Sequence, residues 1–215
     1  MDSDKIYINL RSQILNLELV PATDLNLKAL TNQFEVSRSP VRDALNRLAN
    51  EGLVTIIPQS GTKVSKIHLK TIKEEQFLRT SLELSALSLF LSTENTASIA
   101  TMESLIKQQT TAFEIRDMKF FLALDNDFHR EIFKGADKEN CYDLILSHSG
   151  NYQRIRRLSF AFDSISESVL SEHLALTKAI KDNDKEKAKA IDFKHINKLD
   201  NEITIFKKNL NTYFA

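Results

Sequence analysis

Residues 36–54 read VSRSPVRDALNRLANEGLV, and this stretch decides how the first part of the chain folds. Val41, Ala44, Leu45 and Leu48 recur at helical spacing and make one apolar face, while Arg38, Ser39, Arg42 and Asn46 project elsewhere. Ser37 stands at the N-cap. Pro40 then falls in the first turn, where a missing N–H costs nothing because those groups have no intrahelical acceptor. Gly52 stops the helix. Upstream, Ile6, Leu10, Ile14 and Leu17 predict a helix over about 5–17, and Leu27, Leu30 and Phe34 a shorter one over about 27–34, capped by Asn26 or Asp24. Glu35, Val36 and Ser37 alone separate that second helix from the third. Two short helices, a tight turn and a polar-faced third helix make a helix-turn-helix. Beyond it, LVTII and TKVSKI flank PQSG, which predicts a β-hairpin, the wing of a winged domain.

Such a helix would carry Arg38 and Arg42 free because guanidinium groups at its N-terminus reach guanine edges or phosphates in a major groove. The alternative is a pair of solvated charges, matched to Asp43 or Glu35 and worth about 0–1 kcal/mol. Net charge does not choose between them. Lys plus Arg and Asp plus Glu both number 29, and residues 1–66 hold eight basic against seven acidic side chains.

The same stretch closely resembles the recognition helix of GntR-type bacterial transcription regulators, from its Ser-Arg-x-Pro start to its Glu-Gly-Leu end. LRSQILNLELVPATDLNLKALTNQF and the glycine of SGTKV also resemble that winged domain. The resemblance covers about residues 5–66 and implies DNA contacts from Ser37, Arg38, Ser39 and Arg42, with Ser60 and Gly61 at the wing tip. Lys28 occupies a position that many relatives fill with an acidic residue; it would touch phosphate, the alternative being a simple solvated side chain. Pro21-Ala22 stands where a Pro-Gly is usual, so that turn is expected to differ in detail.

No proline occurs beyond residue 66, and long helical patterns take over. The chain therefore divides into a winged domain over 1–66, a linker over 67–70 and an all-α domain over 71–215. About six antiparallel helices are predicted there, near 70–92, 96–115, 118–134, 139–161, 166–182 and 184–210. The fold class is mainly α, a winged helix-turn-helix followed by a helical bundle. No run of about 18 apolar residues marks a membrane span and no leader precedes the first helix, which predicts a soluble, cytoplasmic protein. The lone Cys141 reads as a structural thiol.

Within the bundle, LDNDFHREIF puts Asp125 and His129 four apart on one helix face, beside Phe121, Leu122, Ile132 and Phe133. His173 shares a face with Val169, Leu176 and Ile180, and His195 one with Ile191 and Leu199. Each histidine alone is more often a satisfied core residue. Three inward histidines with an inward aspartate point to a metal, since imidazole and carboxylate are the usual ligands of zinc and similar ions. His68 and His148 show no such arrangement.

RTSLELSAL, LDNDFHREIF, SEHLALTKAIKDNDKEKAKA and DFKHI together resemble the FCD effector domain of the FadR branch of GntR regulators, over about residues 70–210. That resemblance implies a divalent ion on Asp125, His129, His173 and His195, zinc foremost, with nickel and manganese as alternatives. It also implies a small carboxylate effector beside the metal and an arginine. Arg79 matches the arginine of the first effector helix, its alternative being an exposed pair with Glu83; Arg154 and Arg157 are further candidates, one of them facing the cavity.

The function that follows is a homodimeric DNA-binding regulator, a repressor released by a small organic acid, on a palindromic operator. A metal-dependent hydrolase is the rival, because such a metal could activate water. No Ser or Cys nucleophile with a paired base and no His-Glu-x-x-His pattern supports it, and Glu172 points away from its neighbour His173 on the helix. A regulator of the same fold without metal is the third reading.

Overall fold

In the computed structural model, residues 2–160, 162–198 and 211–215 are described. The winged domain starts with α1 (Ser3–Leu15), whose N-cap Asp2 accepts from Lys5 N–H at 2.9 Å. Helix α2 (Leu27–Phe34) is capped by Asn26, which accepts from Ala29 N–H at 3.0 Å, and ends on Glu35 in the left-handed region. Helix α3 (Arg38–Asn50) follows with Ser37 at its N-cap. Gly52, at φ 70, turns the chain out of α3 at no cost in side-chain strain. Strands β1 (Val54–Ile57) and β2 (Gly61–Val64) pair antiparallel in the register Val54 with Val64. Ile6, Leu10, Ile14, Leu30, Val41, Leu45 and Leu48 close the small core. Leu17 departs from the predicted face because α1 ends two residues earlier and Leu17 itself sits at φ 59.

Seven further α-helices are described: α4 (Leu69–Phe90), α5 (Thr96–Glu114), α6 (Met118–Gly135), α7 (Glu139–Ser147), α8 (Gly150–Ser159), α9 (Asp163–Lys181) and α10 (Lys185–Asn197). The single helix predicted over 139–161 is two. The break at His148 and Ser149 frees the N-terminus of α8, and Glu75 of α4 fills it, accepting from the N–H groups of Asn151 at 3.3 Å and Tyr152 at 2.6 Å. Helix α4 begins inside the predicted linker. Leu199 and the end of the last predicted helix lie outside the described residues. No helix among the described residues is long and apolar enough to cross a membrane.

The two domains meet along α1, α8 and the linker. Arg11 pairs with Glu51 at 2.7 Å and donates across to the Leu146 carbonyl at 2.8 Å. A Cβ on Gly150 would lie 2.7 Å from Leu53 Cδ2, so a larger residue there has to displace the end of that leucine side chain where α8 meets the winged core. The carboxy-terminal end returns to the same place: Ile67 N–H donates to Tyr213 O at 2.8 Å and Ala215 N–H to Ile67 O at 3.1 Å.

Candidate DNA interface and metal centre

At the winged domain, Lys28, Arg38, Ser60 and Gly61 line one groove of about 680 Å³ between α2, the start of α3 and the wing. Ser37, Ser39 and Arg42 are exposed beside it. The Ser37 side chain makes no capping hydrogen bond, so its hydroxyl is not committed to the helix. Arg47, one further turn along α3, is used differently, stacked 3.9 Å over the Tyr7 ring.

In the bundle, α6 supplies Asp125 and His129, α9 supplies His173 and α10 supplies His195, all four buried. One ligand atom from each lies within 4.8 Å of the others. His129 Nε2 is 3.1 Å from His195 Nε2, and His173 Nε2 is 3.5 Å from Asp125 Oδ1. The far side of each ring explains this convergence. His173 Nδ1 meets Gln109 Oε1 at 2.9 Å, His195 Nδ1 meets Glu172 Oε2 at 2.7 Å, and His129 Nδ1 meets Glu83 Oε1. These oxygens only accept, so each Nδ1 carries the hydrogen, and in the neutral ring Nε2 is left with a lone pair. Three lone pairs and a carboxylate then face one another.

Electrostatics keeps the rings in that form. Burial pushes His173 well below its ordinary range and lowers His129 against the charge of Glu83; burial takes His195 down to about 4 although Glu172 opposes it. Burial would raise the Asp125 carboxyl, but the Arg156 guanidinium bonded to it holds it well below the usual carboxylate range. His173 Nε2 and Asp125 Oδ1 have no hydrogen-bond partner. A buried acceptor with nothing to accept from costs about 1–3 kcal/mol. A divalent ion would satisfy both, because donor separations of about 3–3.5 Å go with bonds of about 2.1 Å to N and O. Phe128, stacked on His173 with centroids 3.9 Å apart, fixes that ring's plane.

Beside the cluster is a small cavity of about 30 Å³, lined by Arg79, Asp125, Arg156, His195 and Lys198, with Phe160, Ile165 and Val169 as apolar wall. Arg79 pairs with Glu83 at 2.9 Å, as the alternative reading expects, but the pair is buried rather than exposed. Its Nη2 remains without a partner.

Neither further arginine candidate lines this cavity. Arg154 is fully buried against the end of the winged domain, donating to the carbonyls of Ser65 at 2.6 Å and Lys66 at 3.4 Å and to Asn151 Oδ1 at 2.9 Å. Arg157 is also absent from the lining. Arg156 lines it instead, bonding Asp125 through Nη2 and Asn126 Oδ1 through Nη1 at 2.9 Å. The reason is helical phase: with α8 starting at Gly150, Tyr152, Arg156 and Ser159 share the face toward the cavity. Sequence reasoning also missed Glu83, Gln109 and Glu172 as holders of the imidazoles. Glu172 does point away from His173, and it spends its charge on His195 and on Lys198 at 2.6 Å.

Comparison with known proteins bears on both domains. Residues 2–64 match "Bacterial regulatory proteins, gntR family", and residues 76–198 match the "FCD domain". The chain is 28% identical over 213 residues to the HTH-type transcriptional repressor RspR of Escherichia coli, covering 99% of this chain and 93% of that protein. It is 30% identical over 181 residues to an HTH-type transcriptional regulator in an unstable DNA locus of Streptomyces ambofaciens, covering 83% and 75%. The solved structure of E. coli McbR/YncC shares its fold with a TM-score of 0.77 at 20% identity, over 96% of this chain and 97% of that one. These families and relatives are transcriptional regulators, not enzymes.

Proposed function

This chain belongs to the GntR family of bacterial regulatory proteins, with an FCD domain behind its winged helix-turn-helix, and from that premise we propose that it is a metabolite-responsive repressor. It acts in the cytoplasm as a homodimer on a palindromic operator, with half-sites set by the two-fold axis. Arg38 and Arg42 read base edges. Ser37, Ser39 and the first N–H groups of α3 hold phosphate, and Lys28, Ser60 and Gly61 steady the duplex along the groove they share with Arg38.

The observation that carries the sensing role is the meeting of three imidazole lone pairs and the Asp125 carboxylate beside the unpartnered Nη2 of Arg79. Asp125, His129, His173 and His195 would hold zinc, or nickel or manganese, and the bound ion supplies Lewis-acid attraction for a carboxylate. Arg79 supplies a directed donor for the same carboxylate, and Arg156 adds charge. Operator and effector then alter each other's affinity by the same factor.

Elemental analysis of protein purified without chelator or histidine tag comes first, followed by a thermal-shift screen of small hydroxy, keto, sugar and amino acids. Stoichiometric metal, a carboxylate that stabilises the loaded protein, and weaker operator binding in its presence are the expected results. Metal-free protein that takes up no divalent ion sinks the sensing part. The reading part fails if Arg38→Ala with Arg42→Ala leaves operator affinity unchanged, since each base contact is worth about 1–3 kcal/mol.

A further inference from the structure

Arg156 borders both the cavity beside the His/Asp cluster and the cleft between the bundle and the winged domain. Arg156 bonds Asp125 on its inner side and Asn126 on its outer side. Inside it lies the cavity of about 30 Å³, room for about one water molecule. Outside it lies an interdomain cleft of about 560 Å³, walled by Ile8, Ser12 and Leu15 of α1 and by Leu122, Ala123 and Asn126 of α6. Among the residues lining the two spaces, Arg156 is the one they share. A carboxylate with a carbon skeleton exceeds the inner space, whereas sites for small molecules run to about 300–1,000 Å³, the size of the cleft.

We propose that the inner cavity and the interdomain cleft are two halves of a single ligand site, with Arg156 as the gate between them. The ligand is an organic acid. It enters through the cleft, its carboxylate takes over the Arg156 guanidinium and reaches Arg79, and its body lies against the apolar side chains of α1. An arginine is suited to this, because its long stem changes rotamer without moving the helix that carries it. Helix α1 packs on α3 through Ile6, Leu10 and Ile14 in the winged core. A ligand body wedged between α1 and α6 therefore acts on the DNA-reading domain directly, with no need for a signal carried through the bundle.

The proposal rests on the metal-and-carboxylate reading above, and one experiment separates the two. In a Cys141→Ala background, which removes the single native thiol, Ala123→Cys on the cleft wall is labelled with a bulky maleimide. Lys107→Cys, exposed on α5 away from the cleft, is the labelled control. Both proteins are loaded with Co²⁺, whose visible absorption reports occupancy, and the metal is withdrawn with pyridine-2,6-dicarboxylate, itself an organic acid that must reach the ion. The dicarboxylate-dependent rate is expected to fall at least about tenfold with the label at 123 and to stay unchanged with the label at 107. Arg156→Ala is expected to raise it. Equal rates for the two labels overturn the proposal and put the entrance elsewhere, for instance beside His195 and Lys198. If the unlabelled chain takes up no Co²⁺, the metal reading fails and the gate falls with it; Co²⁺ uptake with label-insensitive loss fails the gate alone.

Discussion

Arg79 and Glu83 sit one turn apart on α4 and pair at 2.9 Å with both side chains buried. The other Glu83 oxygen accepts from His129 Nδ1, so one carboxylate both neutralises the arginine that lines the small cavity and orients an imidazole of the His/Asp cluster. Glu83→Gln keeps the shape and removes the charge. Leaving Arg79 buried and unpaired is expected to cost about 3–5 kcal/mol in urea denaturation. Weakening the hold on His129 is expected to lower metal affinity about 10–100-fold, measured by competition with a chromophoric chelator. Unchanged metal affinity would mean that His129 needs no help from Glu83.

Arg154 is the opposite case, an arginine spent on architecture. Burial lowers its guanidinium to about 10 against the opposing charge of Glu75, and its donors tie α8 to the Ser65 and Lys66 carbonyls. Arg154→Met is expected to destabilise the protein by about 1–3 kcal/mol for each buried acceptor it leaves unpaired, because the Ser65 and Lys66 carbonyls and Asn151 Oδ1 lose their donor. Metal affinity is expected to stay the same, since Arg154 does not line the cavity beside the cluster. A parallel loss of metal would place Arg154 in the site after all.

What the sequence makes legible depends on how local each feature is. The α3 pattern is complete within nineteen residues, so its cap position, first-turn proline and exposed arginines can be read directly. Asp125 and His129 are legible for the same reason, being four apart on one helix. The partners of the rings are not. Glu83 is 46 residues from His129, and Gln109 is 64 from His173, and neither carries a local pattern that separates it from any other polar residue on a helix. Arg156 was hidden by the break between α7 and α8. A helix assumed continuous over 139–161 gives no reliable phase for three arginines within four positions, and the phase appears only once Gly150 is known to start α8.

Ala22 tests the turn in which Pro21-Ala22 replaces the usual Pro-Gly. It adopts φ 71, the left-handed region, while its N–H donates to Val64 O at 2.9 Å and holds the segment against the wing. A Cβ in that conformation costs about 1–2 kcal/mol, part of which glycine gives back through its freer unfolded chain. Ala22→Gly is therefore expected to stabilise the winged domain by about 0.5–1 kcal/mol, read as a higher urea midpoint with unchanged operator affinity. A lower midpoint would show that the turn tolerates its alanine without strain.

Asp192 of α10 is buried, and neither of its carboxylate oxygens has a hydrogen-bond partner. Burial, with the nearby charge of Glu83, raises its carboxyl well above the ordinary range although Arg79 opposes this. The folded protein therefore keeps the proton at a pH where the unfolded chain, with its carboxyl near about 3.9, has lost it. A raised carboxyl leaves stability intact below that unfolded value and drains it as pH rises toward the folded one. Asp192→Asn abolishes this dependence. Its urea midpoint, relative to that of the parent, is expected to improve steadily from pH 4 to pH 7.5. The opposite trend, with the variant falling behind as pH rises, would mean that Asp192 is ionised in the folded protein and held by a cation.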